Sequence, residues 1–90
     1  MKYTKHAKVR VAERGITEKM ILDTVLRSSQ TFYDLSTDTT IAFKELDEKH
    51  LLVAYSKENN EIKIVTTFIT SNAQEIISRK LQDRTWVKIK

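Results

Sequence analysis

Glu13-Arg14-Gly15-Ile16-Thr17-Glu18 is the stretch on which the reading turns, because Gly15 is the only glycine in 90 residues that contain no proline. Upstream, Thr4 to Arg14 holds good helix formers, with Thr4 available as N-cap. Gly15 stands where a helix ends in the left-handed conformation, which a residue without a Cβ adopts at no steric cost. Downstream the helix restarts, with Thr17 as N-cap, Glu18 at the positive end of the dipole and Ile16 placed to staple onto Ile21. Ile21, Leu22, Val25 and Leu26 form an apolar stripe for a core, and Ser28-Ser29 ends the segment. The lone glycine is thus a helix–helix corner.

Beyond Ser29 the hydrophobic period changes to two. Thr31–Leu35, Thr39–Leu46, Leu51–Lys57 and Ile62–Ile69 read as strands, separated by the polar turns Ser36-Thr37-Asp38, Asp47-Glu48-Lys49 and Glu58-Asn59-Asn60. In the last strand Ile62, Ile64, Thr66 and Phe68 are expected on one face, and Lys63, Val65, Thr67 and Ile69 on the other. Turns this short imply an antiparallel meander. Ser71 to Glu75 offers a capping box, and Ala73, Ile76, Ile77 and Leu81 give a third helical stripe before a short tail strand around Trp86. The expected architecture is α+β. Two N-terminal helices pack on one face of a curled four-stranded antiparallel sheet, followed by a C-terminal helix and the tail strand.

A chain of 90 residues reads as one domain, 1–90, with a thin core. The absence of cysteine excludes disulfides, thiolate metal sites and cysteine nucleophiles, and fits a reducing, cytoplasmic setting. No apolar run reaches membrane-spanning length, and no apolar segment follows Met1, so neither a membrane partner nor export is expected. The net charge of +4 is unevenly placed. Residues 1–14 carry five cations against Glu13, and residues 79–90 carry five against Asp83, a net +4 at each end around a middle of −4. If the ends meet, they form one positive face for a polyanion.

Within the first helix His6, Arg10 and Arg14 recur at i, i+4 and i+8, a step that drifts only about 40° around the axis. An imidazole aligned with two guanidinium groups suits a phosphate: arginine pairs with it bidentately and histidine titrates near neutrality. On RNA, His6 would move protons and the arginines would hold charge at the crowded phosphate, with no metal and no cofactor. Structural roles are equally open to them, as a cap or packing residue for His6, a dipole complement for Arg14 and a partner of Glu13 or of Asp residues across the sheet for Arg10. Lys5, Lys57, Arg79, Lys80, Arg84, Trp86 and Lys88 are the candidate nucleic-acid contacts; Trp86 interleaves with basic residues as on stacking surfaces, or packs beneath the sheet edge. Tyr55 shares strand parity with Leu51 and Val53 and is expected at the core, His50 is expected to be solvated, and Thr66 is placed to offer a hydroxyl to a groove. The acidic residues near strand ends, from Glu45 to Glu61, read as soluble turns.

Lys5-His6-Ala7, Arg10, Glu13-Arg14-Gly15-Ile16-Thr17, Ile64-Val65-Thr66 and the Arg79 to Ile89 stretch together resemble the domain of unknown function 4258 family. That family is thought to be related to the RelE/ParE toxin fold. The resemblance implies a small toxin-like protein of the type II toxin–antitoxin kind, acting on RNA such as ribosome-bound mRNA as a metal-independent endoribonuclease and covered by an antitoxin. His6, Arg10, Arg14 and Thr66 fall on its typical positions. Asp83 before Arg84 departs from the usual turn, and Tyr55 and Lys57 are the counterparts available for sheet residues of RelE-type ribonucleases. The alternatives are a non-catalytic nucleic-acid-binding module and a protein-interaction module for an acidic partner.

Overall fold

In the computed structural model, which describes residues 1–90, the corner at Gly15 joins α1 (Lys5–Arg14) to α2 (Glu18–Arg27). Gly15 has φ 64° and ψ 29°, and its N–H donates to the Val11 carbonyl, the left-handed helix end expected there. Thr17 accepts from the Met20 N–H and starts α2. The inward stripe of α2 is Ile21, Thr24, Val25 and Ser28; Leu22 and Leu26, expected in the core, are exposed. Thr24 tolerates complete burial because its hydroxyl donates to the Met20 carbonyl one turn back.

The strands are β1 (Lys2–Tyr3), β2 (Gln30–Asp34), β3 (Thr39–Leu46), β4 (Lys49–Glu58), β5 (Glu61–Thr70) and β6 (Trp86–Lys88), with α3 (Ala73–Gln82) before the last. They form one open sheet of order β1-β5-β4-β3-β2-β6. Strands β2 to β5 are the antiparallel meander that the short turns imply. The four-stranded antiparallel expectation is nevertheless too small, because the sheet has six strands and is mixed: β1 lies parallel to β5 and β6 lies antiparallel to β2. Two residues ahead of a helix carry no period, so β1 had no sequence signal. Asn59 and Asn60 close the β4–β5 hairpin with φ 50° and 64°, positive at both central positions as the tightest hairpin turns require.

Helices cover both faces of the sheet, not one. Leu51, Leu52, Val53 and Ala54 in central β4 are all buried, and a continuous buried run marks a strand with no solvent side. Leu51 and Val53 pack with Ala7, Ile16, Ile21 and Ile64 under α1 and α2. Leu52 and Ala54 pack with Phe32, Phe43, Ile77 and Trp86 on the α3 side. No helix is long and apolar enough to cross a membrane.

A bulge in β5 fixes which residues face which side. Tyr55 pairs with Ile64 while Ala54 pairs with Thr66, so Val65 is the extra residue. The face expected for Thr66 is therefore corrected: after the bulge Thr67 and Ile69 take the α1/α2 side, opposite Val53 and Leu51, and Thr66 joins Val65 and Phe68 on the α3 side. Thr4 holds this irregularity in place. Its N–H donates to the Ile64 carbonyl (2.9 Å), its hydroxyl donates to the Val65 carbonyl (2.6 Å), and the same oxygen accepts from the Ala7 N–H (3.1 Å) as N-cap of α1.

On the other side Asp34 ties the tail to the sheet. It is 8% exposed; one carboxylate oxygen accepts from the Ser36 N–H and hydroxyl and from the Thr37 N–H, and the other accepts from Trp86 Nε1 at 3.1 Å. Burial on its own raises the carboxyl pKa, but the bonds from Ser36, Trp86 and Thr37 together outweigh it and hold the group below its ordinary value. Asn72, by contrast, makes no side-chain cap on α3, because its ψ of 35° is not the extended backbone that aims a capping side chain.

Two stability outcomes follow from these anchors. Thr4→Val removes a cap and strands the Val65 carbonyl, so it is expected to cost roughly 2–3 kcal/mol in urea unfolding, against about 1 kcal/mol for Thr17→Val, whose cap is exposed. Equal costs for the two variants would contradict the role given to Thr4. Because the folded-state pKa of Asp34 is depressed, its contribution is fully present above its unfolded pKa of about 3.9 and is lost as pH falls through the folded value. Asp34→Asn is therefore expected to lower stability near neutrality and to flatten the decline between pH 4 and the acid limit, read from the fluorescence of Trp86; an unchanged acid profile would contradict it.

Candidate functional site

Helix α1 lies along β5 with Ala7 fully buried and Val11 half-buried beneath it. That inner stripe sets where everything else on the helix points. Lys5, His6, Lys8 and Arg14 are exposed, and Arg10 is half-buried. His6, Arg10 and Arg14 are one turn apart along a single ridge, as their spacing requires. None of Lys5, Lys8, Arg10 and Arg14 has a carboxylate oxygen within 4 Å; the ion pairs of the chain are Lys2–Glu61, Arg27–Asp23, Lys44–Asp23 and Arg79–Glu75. The first helix thus carries a row of cations without carboxylate partners.

The two basic ends do not meet. Strand β1 and helix α1 occupy one edge of the sheet and β6 the other, with five strand spacings, about 24 Å, between the edge strands. That is about three times the screening length of about 8 Å at physiological salt, so β6 acts apart from α1, while α3 is kept from α1 by lying on the opposite face of the sheet. Of the candidate contacts, Lys5 belongs to the α1 region, and exposed Lys57 lies on the same sheet face, at the end of β4 opposite Ile62. Arg79, Lys80, Arg84 and Lys88 belong to α3, its end and β6. Arg79 is occupied with Glu75 at 3.3 Å. Arg84 has φ 59° and closes α3 in the left-handed region.

Trp86 is not a stacking surface. It is 5% exposed, its ring centroid lies 5.4 Å from that of Phe32 and 5.9 Å from that of Phe43, and its N–H is bonded to Asp34. A residue so enclosed contributes to the core, the other role its sequence position allowed. His50, expected in solvent, is half-buried with its ring centroid 6.5 Å from that of Phe43. Tyr55 faces the α1/α2 core, and burial raises its phenol pKa. No group of three or more His, Asp or Glu side chains is placed to hold a metal ion.

Sequence reasoning missed a second constellation. Between α3 and the sheet lies a cavity of about 250 Å³ bordered by Asp34, Thr39, Thr66, Lys80 and Trp86. Thr66 does offer a side chain to a groove, and Lys80 joins it from α3 rather than standing in a surface row. The pattern Asp34-Leu35-Ser36-Thr37, an aspartate followed by hydroxyl residues able to fold onto it, was the available signal for the fixed carboxylate.

No curated protein and no solved structure shows significant similarity to the chain. A family model described as Domain of unknown function (DUF4258) matches residues 3–69. The matched segment holds the α1 ridge and the meander through most of β5, while α3 and β6 follow it. With well over half its length matched, the chain belongs to the DUF4258 family.

Proposed function

We infer that this chain is a nucleic-acid-directed protein that holds the phosphates of RNA along α1, in the manner of a small toxin. The observation that carries the reading is the run of cations on α1 without carboxylate partners. Free surface cations are the electrostatic footprint of a polyanion ligand, and arginines one turn apart match successive phosphate oxygens with bidentate donors. The resemblance to RelE/ParE toxins supports RNA as that polyanion, and two helices leading into an antiparallel meander is the plan the resemblance implies.

His6 favours a second step on the same surface, metal-independent cleavage. Its exposed ring forms no hydrogen bond within the chain and sits one turn before Arg10. With a phosphate on Arg10 and Arg14, the imidazole accepts the proton of the 2′-hydroxyl, whose oxygen then bonds to phosphorus. The 5′-oxygen departs with its electron pair and takes a proton from the imidazolium. The products are a 2′,3′-cyclic phosphate and a 5′-hydroxyl end, while the guanidinium groups balance charge on the non-bridging oxygens. An acidic antitoxin segment would compete for the same ridge.

Binding of a single-stranded RNA is expected to weaken with salt. The double variant Arg10→Ala, Arg14→Ala is expected to reduce the log–log salt slope by roughly 1.4, two phosphate contacts at about 0.7 each. His6→Ala is expected to keep the affinity and abolish cutting of an RNA substrate. An unchanged slope in the double variant would overturn the α1 interface; cutting by His6→Ala at the wild-type rate would overturn only the catalytic step.

A further inference from the structure

The cavity beneath α3 is built from both halves of the chain, and no role on α1 uses it. Its walls are mostly apolar: Ile41, Leu52 and Ala54 from β3 and β4, Val65 and Phe68 from β5, and Ile76 from α3. The β5 bulge is what brings Val65 and Thr66 to the same side, so the irregularity pinned by Thr4 also shapes this space. Ala54, facing the bulge, is a small residue at a position where a larger one would fill it.

The polar groups around it are unequal. Asp34 already accepts four hydrogen bonds, and its charge is spread over fixed donors. Thr37 and Thr39 are bonded to each other at 2.8 Å. Lys80, one turn beyond Ile76 on the same flank of α3, is half-buried and has no carboxylate within 4 Å and no hydrogen-bond acceptor in the chain. An ammonium without a partner, at the margin of an apolar wall, is the cation of this cavity that is free to take an anion. Thr66 adds a hydroxyl nearby. Asp34 also borders the cavity and repels a negative charge, so an anionic ligand has Lys80 as the one cation for its head and the apolar wall for its body.

We propose that this cavity is a binding site for a small apolar carboxylate, with the carboxylate on Lys80 and the hydrocarbon body over Leu52, Val65, Phe68 and Ile76. A volume of about 250 Å³ lies just below the roughly 300–1,000 Å³ of sites for drug-sized ligands, which sets the ligand at the size of benzoate. Both Lys80 and Trp86 lie outside the segment matched by the family model, so the site belongs to this chain's C-terminal elements as much as to the shared sheet.

Trp86 is the only tryptophan and borders the cavity, so its fluorescence reports occupancy of the full-length chain directly. Benzoate is the probe and benzamide, its neutral isostere, the control. Benzoate is expected to give a saturable change, benzamide a change at least about tenfold weaker, and Lys80→Met to remove that preference. Ala54→Leu, checked for folding by its urea midpoint, is expected to block both ligands by filling the space. No saturable response to benzoate at tens of millimolar, an equal response to benzamide, or unaltered benzoate binding by Lys80→Met would each overturn the proposal.

Discussion

Besides the first helical bond, which its carbonyl accepts from the Lys8 N–H, Thr4 makes three hydrogen bonds, and most of the structure's particular features trace to them. Its hydroxyl starts α1 by accepting from Ala7 and at the same time donates to the Val65 carbonyl, which the bulge has taken out of the ladder. Its N–H bonds the Ile64 carbonyl and continues the parallel pairing of β1 with β5. One residue therefore fixes where α1 begins, which strand it lies on and where β5 changes the side its residues face. The ridge of cations is aimed outward because Ala7 and Val11 are aimed inward from that start.

A two-sided sheet gives a domain of this size two small cores rather than one. Each core leaves a different opportunity at its margin. On the α1/α2 side the helix packs with small and branched residues, and the long charged side chains remain free at the surface. On the α3 side Phe32 and Phe43 crowd around Trp86, and beside Trp86 a cavity is left between α3 and the bulged strand. Because α1 and α3 lie on opposite faces of the sheet, and β1 and β6 at its opposite edges, the net charge of +4 describes two surfaces and not one.

The sequence made the local features legible and the non-local ones obscure. Gly15, Thr4 and Thr17 declare helix ends through chemistry contained within a few residues, and each end lies where that chemistry puts it. The meander was equally readable, since its turns are short and polar. The bulge was hidden: Ile62 to Ile69 alternates well enough to look regular, and the extra residue is set by a threonine some sixty positions away. The run Leu51 to Ala54 carried the sign of burial on both faces, but alternation elsewhere drew the helices to one side. For the sites, the α1 ridge was legible because helical spacing alone creates it. The cavity was not, because Asp34, Thr66 and Lys80 meet only through tertiary packing.

The central claim is that α1, and not the basic C-terminal elements, is the surface that meets RNA. Backbone amide chemical-shift mapping with a short single-stranded RNA tests it most directly. The account predicts that the shifts concentrate on Lys5–Arg14 and the adjoining β1–β5 edge, with α3 and β6 unmoved. Shifts confined to Arg79–Lys88, with α1 silent, would contradict it.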